Sequence, residues 1–267
     1  MNPQVAASKQ GRLEAQGMSV TFGGLKAVQN VSLVAEPGQV TAIIGPNGAG
    51  KSTFLNLISG FIRPTEGVVY IGGEDISKLR PWTRVRRGMA RTFQALEVFG
   101  SLTVGENVAL GFPAPIGSSP WRPLLQWGGY RKERELIKVE TRSLLKRVGL
   151  LDRADSLASE LSYGDQKLLV VARLLATKAD VLMFDEPGAG LPRREINALG
   201  SLFRELAAEG KTVVLVDHNM HLIFGYADYV YVLHHGELVA DGTPQEIREN
   251  EQVVRIYLTG GGEEKAA

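Results

Sequence analysis

The sequence of 267 residues contains no cysteine. Disulfide bridges, catalysis by a thiol and zinc sites built on cysteine are therefore excluded. The chain also lacks an excess of charge of either sign, because 30 Lys and Arg residues oppose 29 Asp and Glu residues. Proteins that bind nucleic acid usually carry a basic excess, so the composition argues against nucleic acid as a partner.

Long apolar runs are missing as well. A membrane-spanning helix needs about 20 consecutive apolar residues, whereas the run from Leu168 to Ala176 is broken by Arg173. The first residues, Met1 to Gly17, are polar and mixed in charge, and they do not resemble a secretory signal. With 44% hydrophobic and 22% charged residues, the chain is expected to be a soluble globular protein rather than a disordered one.

Three short apolar segments predict buried strands. They are Val40–Ile44, Val181–Phe184 and Val213–Val216, and helical patterns lie between them. Apolar strands that alternate with helices favour a mainly parallel sheet that is covered on both faces. The sequence therefore indicates an α/β protein.

The middle of the chain has a different pattern. Thr103 and Glu106 have the spacing of a capping box, which predicts the start of a helix. The stretch Gly111–Tyr130 is rich in helix-breaking residues and predicts irregular structure, and Arg131–Val148 has helical periodicity. We therefore predict an inserted helical subdomain at about residues 98–165.

A single domain is predicted for residues 18–260. Regular structure is expected to begin near Met18, where apolar and polar residues start to alternate as in a strand. Residues 1–17 are expected to form a flexible leader, and residues 261–267 a disordered tail.

A complete phosphate-binding motif occupies residues 45–52, which read Gly-Pro-Asn-Gly-Ala-Gly-Lys-Ser. It matches G-x-x-x-x-G-K-[ST] at every fixed position, between a predicted strand and a predicted helix. Glycines let backbone amides turn toward an anion, and the positive end of the helix points to the same place. Lys51 can then reach the β- and γ-phosphates, and the Ser52 hydroxyl can bind Mg²⁺. The predicted ATP-binding residues here are Gly45, Pro46, Asn47, Gly48, Ala49, Gly50, Lys51, Ser52 and Thr53.

An apolar strand that ends in two carboxylates supplies the second part of a nucleotide site. Asp185 would hold Mg²⁺, and Glu186 would orient and deprotonate the attacking water. Pro187 and Gly188 end the strand and leave both carboxylates at the edge where open α/β sheets bind ligands. Such a pair alone is usually a solvated loop, but beside a phosphate-binding motif it predicts ATP hydrolysis.

Residues 161–166, Leu-Ser-Tyr-Gly-Asp-Gln, together with these two motifs closely resemble the signature of ABC transporter ATPase subunits. The resemblance covers about Met18 to Gly260. It implies a P-loop NTPase of the ABC type, in which a mainly parallel sheet core carries an antiparallel β subdomain and an inserted helical subdomain. It also implies ATP and Mg²⁺ as ligands and hydrolysis that is coupled to transport.

The resemblance assigns roles to further residues. Phe22 would stack on adenine, Gln94 would touch Mg²⁺ and link ATP to a transmembrane partner, and His218 would be the switch histidine. Alone, each would more often be structural, and only the order of the motifs favours these roles. The predicted catalytic residues are Lys51, Gln94, Glu186 and His218, and the predicted metal ligands are Ser52, Gln94 and Asp185.

Two motifs depart from the common family pattern. In the signature, Tyr163 replaces a glycine and Asp165 replaces a glutamine. Pro192 stands where the D-loop usually ends in aspartate, so this position cannot accept a hydrogen bond through its side chain. Neither departure removes the phosphate loop, the base or the histidine, so ATPase activity is still expected.

The resemblance also implies partners. Two identical or related ATPase chains would pack head to tail, with Ser162 and Gly164 of one chain on the ATP held by the other. Transmembrane permease subunits would dock near Gln94 to Val108, and a periplasmic binding protein would act through them. The chain would then lie on the cytoplasmic face of the inner membrane.

Several segments are similar to the ATPase subunits of high-affinity branched-chain amino acid importers. These segments are residues 22–28, 91–94, 103–108, 161–164, 241–244 and 253–258. An importer of urea or short amides and a lipopolysaccharide exporter remain alternatives. A soluble ABC ATPase without a permease is less favoured, because such proteins usually carry tandem ATPase units or a strongly basic face.

Four arginines precede Gln94 in the chain, namely Arg84, Arg86, Arg87 and Arg91. They form either a solvated helix face or the basic rim of a groove that receives a cytoplasmic helix of the permease. Four apolar residues are expected to line that groove: Phe99, Leu102, Val104 and Val108.

Overall fold

The computed structural model describes residues 11–93, 97–113 and 127–260. The chain divides into two units, which comprise the described parts of Met1–Arg91 with Ala179–Ala267 and of Thr92–Lys178. Within the described residues, no helix is both long and apolar enough to span a membrane. The predicted helical insert falls inside the second unit, which extends beyond it at both ends.

The first unit contains all of the named strands. In chain order they are β1 (Leu13–Phe22), β2 (Leu25–Ala35), β3 (Val40–Ile44), β4 (Glu66–Ile71), β5 (Glu74–Asp75), β6 (Met89–Arg91), β7 (Val181–Asp185), β8 (Thr212–Val216), β9 (Tyr229–His234) and β10 (Glu237–Gly242). An antiparallel sheet has the order β2-β1-β4-β5, and a second sheet has the order β10-β9-β3-β8-β7-β6. The second sheet is parallel except for the pairing of β10 with β9. The predicted α/β fold with a mainly parallel core sheet and an antiparallel sheet is thus confirmed.

Helices flank these strands along the chain. In chain order they are α1 (Lys51–Ser59), α2 (Pro81–Arg86), α3 (Val104–Ala109), α4 (Trp127–Arg147), α5 (Tyr163–Ala176), α6 (Arg193–Ala208), α7 (Met220–Tyr226), α8 (Pro244–Glu249) and α9 (Glu251–Gly260). The second unit contains α3, α4 and α5, and the first unit contains the others.

The strands β3, β7 and β8 form the centre of the parallel sheet and are buried along their whole length. Their apolar sequences reflect coverage on both faces, which confirms the predicted buried strands. Val216 of β8 is paired with Ile43 of β3 and with Asp185 of β7. The carboxyl ends of the three strands are therefore level.

The strand β1 begins at Leu13, inside the range 1–17 that the sequence assigned to a flexible leader. Leu13 and Ala15 are buried, with 0% and 1% exposure, and they pair with residues of β2. Arg12 adds ion pairs to Glu14 and Glu36. The predicted leader is therefore too long, because an irregularity between Ala15 and Met18 interrupts the alternation of apolar and polar residues.

The second unit begins its first helix as predicted. The Thr103 hydroxyl accepts a hydrogen bond from the Glu106 amide at 3.1 Å, and the Glu106 carboxylate accepts one from the Thr103 amide at 2.8 Å. This reciprocal pair is a capping box, which satisfies amides at the helix N-terminus.

The helix α4 is described from Trp127 onward, so it includes residues that lie before the helix indicated by the sequence. Residues 127–130 belong to the stretch that was predicted to be irregular, and residues 114–126 lie outside the described part. Gly128 and Gly129 are helical although glycine is a weak helix former. The periodic residues that follow are thus sufficient to extend α4 toward its N-terminus.

The predicted groove lining in this unit is wrong for two residues. Val104 and Val108 have 0% exposure and belong to the core of the second unit. Phe99 is 51% exposed, with the Arg173 guanidinium 5.5 Å from its ring centroid. Of the four residues predicted to line the groove, Phe99 therefore has an exposed aromatic side chain.

The predicted basic rim is wrong for Arg84, which is only 2% exposed. Its guanidinium donates hydrogen bonds to the carbonyls of Ser77 at 2.8 Å and Leu57 at 3.2 Å, and to that of Ile58. Burial lowers the pKa of Arg84 to about 10. Because Leu57 and Ile58 are in the last turn of α1, the side chain caps that helix from inside the protein.

We expect Arg84→Met to lower the free energy of unfolding by about 2–3 kcal/mol, because buried carbonyls lose their donor. Arg87 is the matched control, since its ion pair with Glu74 is about half exposed. Arg87→Met should cost about 0.5 kcal/mol or less. Urea denaturation of the three proteins measures the difference, and equal midpoints for both variants would contradict the structural role of Arg84.

Candidate functional site

Three loops of the first unit start at the same edge of the parallel sheet. They follow β3, β7 and β8, which are in register near their ends, where Val216 pairs with both Ile43 and Asp185. Ligands of open α/β sheets bind at the carboxyl ends of the strands. The sequence-predicted residues Lys51, Glu186 and His218 all follow these ends.

The loop after β3 approaches its neighbours as closely as glycine permits. Gly45 has φ +152°, and a Cβ there would lie 2.1 Å from the Leu233 carbonyl oxygen. Gly50 has φ +97°, and a Cβ there would lie 2.6 Å from the Ala27 carbonyl oxygen. The α1 N-terminus has no side-chain cap and no acidic residue in its first turn, so its amides favour an anionic ligand.

Lys51 begins α1 and turns back over this loop. Its Nζ atom donates to the carbonyl oxygens of Gly45 at 2.8 Å and Pro46 at 2.9 Å. Burial lowers the pKa of Lys51, and the carboxylates of Glu186 and Asp185 act in the opposite direction. The ammonium group thus lies within electrostatic reach of both predicted acidic residues.

Asp185 is the last residue of β7, and its side chain is only 3% exposed. Its Oδ2 atom accepts a hydrogen bond from Nη2 of Arg91 at 2.7 Å. The Arg91 side chain is 6% exposed. The predicted basic rim is therefore wrong for Arg91 as well, because its charge is turned inward to a carboxylate.

Glu186 adopts a left-handed backbone conformation with φ +50°. This conformation costs a non-glycine residue on the order of 1 kcal/mol, and such strain is concentrated at functional sites. The Glu186 amide donates to the Val216 carbonyl oxygen at 2.7 Å, which ties it to the end of β8. The strained turn directs the chain away from β7 immediately after Asp185.

Asp217 is a functional-site residue that sequence reasoning missed. It is fully buried, and its Oδ2 atom accepts from the Gly188 amide at 2.7 Å while Oδ1 accepts from the Asn219 amide at 2.8 Å. It therefore joins the loop after β7 to the loop after β8. The sequence did contain a signal for this residue: an acidic residue that directly follows an apolar strand and precedes a histidine.

His218 follows Asp217, and 62% of its side chain is exposed. Its Nδ1 atom lies 3.9 Å from Oδ1 of Asp217, so the buried carboxylate stands behind the imidazole. The histidine presents an accessible ring at the edge of the sheet where Lys51, Asp185 and Glu186 are placed.

Three further predicted residues of the first unit are at least partly accessible, whereas Ala49 of the phosphate loop is buried. Phe22 ends β1 and is 48% exposed, so it is not the core residue that a strand aromatic usually is. Ser52 is exposed in the first turn of α1, and Thr53 beside it is half-buried. Gln94 lies outside the described residues.

The signature residues are in the second unit, at the start of α5. Ser162 is the N-cap, and its hydroxyl accepts from the Asp165 amide at 3.2 Å. Tyr163 is 54% exposed, and Gly164 lies in the first turn. Asp165 adds a negative charge to that turn, which stabilises a helix N-terminus.

Pro192 has a structural role in the first unit. It is the N-cap of α6, and its carbonyl oxygen accepts from the amides of Glu195 at 2.9 Å and Ile196 at 3.1 Å. Proline has no amide proton to leave unpaired at this position. With proline in place of the usual aspartate, the start of α6 is therefore still well formed.

The donor atoms at this edge suit Mg²⁺ and a phosphate group. The Ser52 hydroxyl and the Asp185 carboxylate are hard oxygen donors of the kind that Mg²⁺ prefers. Lys51 and the uncapped amides of α1 supply positive charge for phosphate oxygens. The residues present thus fit a magnesium-bound nucleotide.

This combination of loop, lysine and strand-end carboxylates defines a P-loop nucleotide-binding protein. The family profile described as ABC transporter matches residues 28–189. A second profile, described as branched-chain amino acid ATP-binding cassette transporter, matches residues 237–258. The chain belongs to the ABC transporter family.

Individual relatives agree with this assignment. The chain is 38% identical over 247 residues to the high-affinity branched-chain amino acid transport ATP-binding protein LivG of Escherichia coli K12, covering 92% of this chain and 97% of LivG. A crystal structure of the ADP conformation of an ATP-binding cassette of an ABC transporter has a TM-score of 0.80 at 34% identity, covering 92% of this chain and 98% of that one. The dimeric structure of a bacterial ABC transporter cassette has a TM-score of 0.73 at 27% identity, covering 87% and 98%.

We expect Gly45→Ala to weaken nucleotide binding at least tenfold, or about 1.4 kcal/mol, because the new methyl group displaces the loop from the Leu233 carbonyl. Gly73→Ala is the control, since Gly73 also has a positive φ but a Cβ there meets nothing within 4 Å. Titration with a fluorescent ATP analogue gives both dissociation constants. Unchanged affinity in Gly45→Ala would contradict the proposed contact of this loop with phosphate.

Proposed function

We propose that this chain is the ATP-hydrolysing subunit that powers an importer of branched-chain or related amino acids. The observation that carries the proposal is the convergence of Lys51, Asp185, Glu186 and His218 at one edge of the sheet, in a member of the ABC transporter family. The match of residues 237–258 to a branched-chain amino acid profile supports this cargo class over urea, amides or lipopolysaccharide.

ATP binds along the edge of the first unit. Phe22 stacks on the adenine ring through its exposed face. The backbone amides of residues 45–53 and the Lys51 ammonium hold the phosphates. Ser52 and Asp185 would hold Mg²⁺, with Gln94 as the further ligand that the family resemblance implies, and the ion would neutralise charge on the phosphates.

Glu186 is the general base for hydrolysis. Its carboxylate takes a proton from a water molecule, the water oxygen bonds to the γ-phosphorus, and the bond from that phosphorus to the bridging oxygen of ADP breaks. Lys51 and His218 hydrogen-bond the phosphate oxygens as negative charge moves to the leaving group. The strained backbone of Glu186 fixes the base after β7.

A second ATPase chain, identical or related, completes each site. Ser162 and Gly164 at the α5 N-terminus of one chain bind the ATP that the phosphate loop of the other holds. The dimeric structure of a similar bacterial cassette supports a pairing of two ATPase chains. ATP then stabilises the dimer, and hydrolysis releases it.

Permease subunits couple this cycle to transport. They dock near residues 94–108. Of the apolar residues predicted to contact them there, Phe99 has an exposed aromatic side chain. A periplasmic binding protein delivers the cargo to them. The ATPase chain is therefore peripheral, on the cytoplasmic face of the inner membrane.

We expect Glu186→Gln to bind ATP but to lose turnover by about 10²- to 10⁴-fold, as removal of a general base does. The variant should accumulate as an ATP-bound dimer in sedimentation experiments. Glu249→Gln is the control, because Glu249 is an exposed carboxylate on α8. Near-normal turnover in Glu186→Gln would assign the base to another residue.

The cargo class is tested in a bacterium that lacks its own copy of this gene. The wild-type chain should restore uptake of labelled leucine, and Lys51→Ala should not, since it loses the phosphate contact. Labelled urea is measured in the same cells. Restored uptake of urea without leucine would overturn the amino acid assignment and leave the ATPase assignment standing.

A further inference from the structure

The guanidinium of Arg91 joins three elements of the first unit. Arg91 ends β6, and its Nη2 atom donates to Oδ2 of Asp185, the last residue of β7, at 2.7 Å. Its Nη1 atom donates to Oδ1 of Asn56 at 2.7 Å and to Oγ of Ser59 at 3.0 Å, both on α1. The helix that begins at the phosphate loop is thus bonded to the strand that carries the metal-binding carboxylate.

Burial makes this network rigid. The side chains of Arg91 and Asp185 are 6% and 3% exposed, so little water competes for the pair. Ser59 is itself fixed, because its hydroxyl donates to the Leu55 carbonyl oxygen at 2.6 Å. The planar fork of arginine can hold Asp185 and α1 at the same time, which a lysine ammonium on a flexible stem cannot do.

We propose that Arg91 is a positioning residue for the metal site, which sets the orientation of the Asp185 carboxylate relative to α1. With Oδ2 held by the guanidinium, the carboxylate cannot rotate freely. Its distance to the first turn of α1, where Ser52 lies, is fixed through Asn56 and Ser59. Partners that orient a metal ligand in this way commonly govern metal affinity.

The inference rests on the proposed function, because it requires that Asp185 and Ser52 bind Mg²⁺ together with ATP. It goes beyond that function by giving Arg91 a part in metal affinity rather than in the permease contact. It also predicts that the effect of Arg91 is confined to the metal-dependent part of nucleotide binding.

The test measures the dissociation constant of the full chain for a non-hydrolysable ATP analogue, once with excess EDTA and once with Mg²⁺. The constant in EDTA divided by the constant in Mg²⁺ reports how much the metal strengthens nucleotide binding. Arg91→Met should reduce this ratio by about tenfold or more, as loss of a partner to a metal ligand does. The constant in EDTA should stay close to that of the wild type, which a general structural defect would not allow.

Further variants make the experiment decisive. Arg91→Lys keeps the charge without the fork and should give an intermediate ratio, and Asn56→Ala should give a smaller reduction in the same direction. Arg87→Met, at an arginine paired with Glu74 on the surface, should leave the ratio unchanged. If Arg91→Met does not fold, Arg91→Lys and Asn56→Ala decide the question.

An unchanged ratio in the Arg91 and Asn56 variants, or equal loss of affinity with and without Mg²⁺, would overturn the role of Arg91. Failure of the wild-type chain to bind the analogue under either condition would instead contradict the proposed function. A titration of Mn²⁺ followed by electron paramagnetic resonance gives the metal affinity independently of turnover. The variants should rank in Mn²⁺ affinity as they rank in the ratio of dissociation constants.

Discussion

The parallel pairing of β8 with both β3 and β7 is the constraint on which the nucleotide site depends. Val216 is paired with Ile43 on one side and Asp185 on the other, so three loops begin at one level. A shift of one residue in the register of β7 against β8 would turn Asp185 to the opposite face of the sheet. Asp217 then fixes the loops to each other through the amides of Gly188 and Asn219.

Buried cations of the first unit lie close to the carboxylates of the site. Lys51 and Arg91 are buried cations, and each lies near the carboxylate of Asp185. Burying such groups is costly unless they are paired and hydrogen-bonded. Because the left-handed turn at Glu186 adds strain, the well-packed strands β3, β7 and β8 must stabilise a site that is locally unfavourable.

Features with a local cause could be predicted from the sequence. The buried strands, the phosphate loop and the capping box at Thr103 each follow from a short pattern, and the structure contains all of them. The roles of Arg84 and Arg91 could not be predicted, because their partners on α1 and β7 are far away in sequence. An arginine turned inward has the same local sequence pattern as one on a solvated face.

The central claim is that the ends of β3, β7 and β8 form one site for magnesium-bound ATP. A crystal structure of the chain with Mg²⁺ and a non-hydrolysable ATP analogue tests it most directly. The phosphates should lie on the amides of residues 45–53, with the metal between Ser52 and Asp185 and with Glu186 facing the γ-phosphate. A nucleotide bound away from this edge, or a metal without Asp185 in its coordination sphere, would show that these strand ends do not form the site.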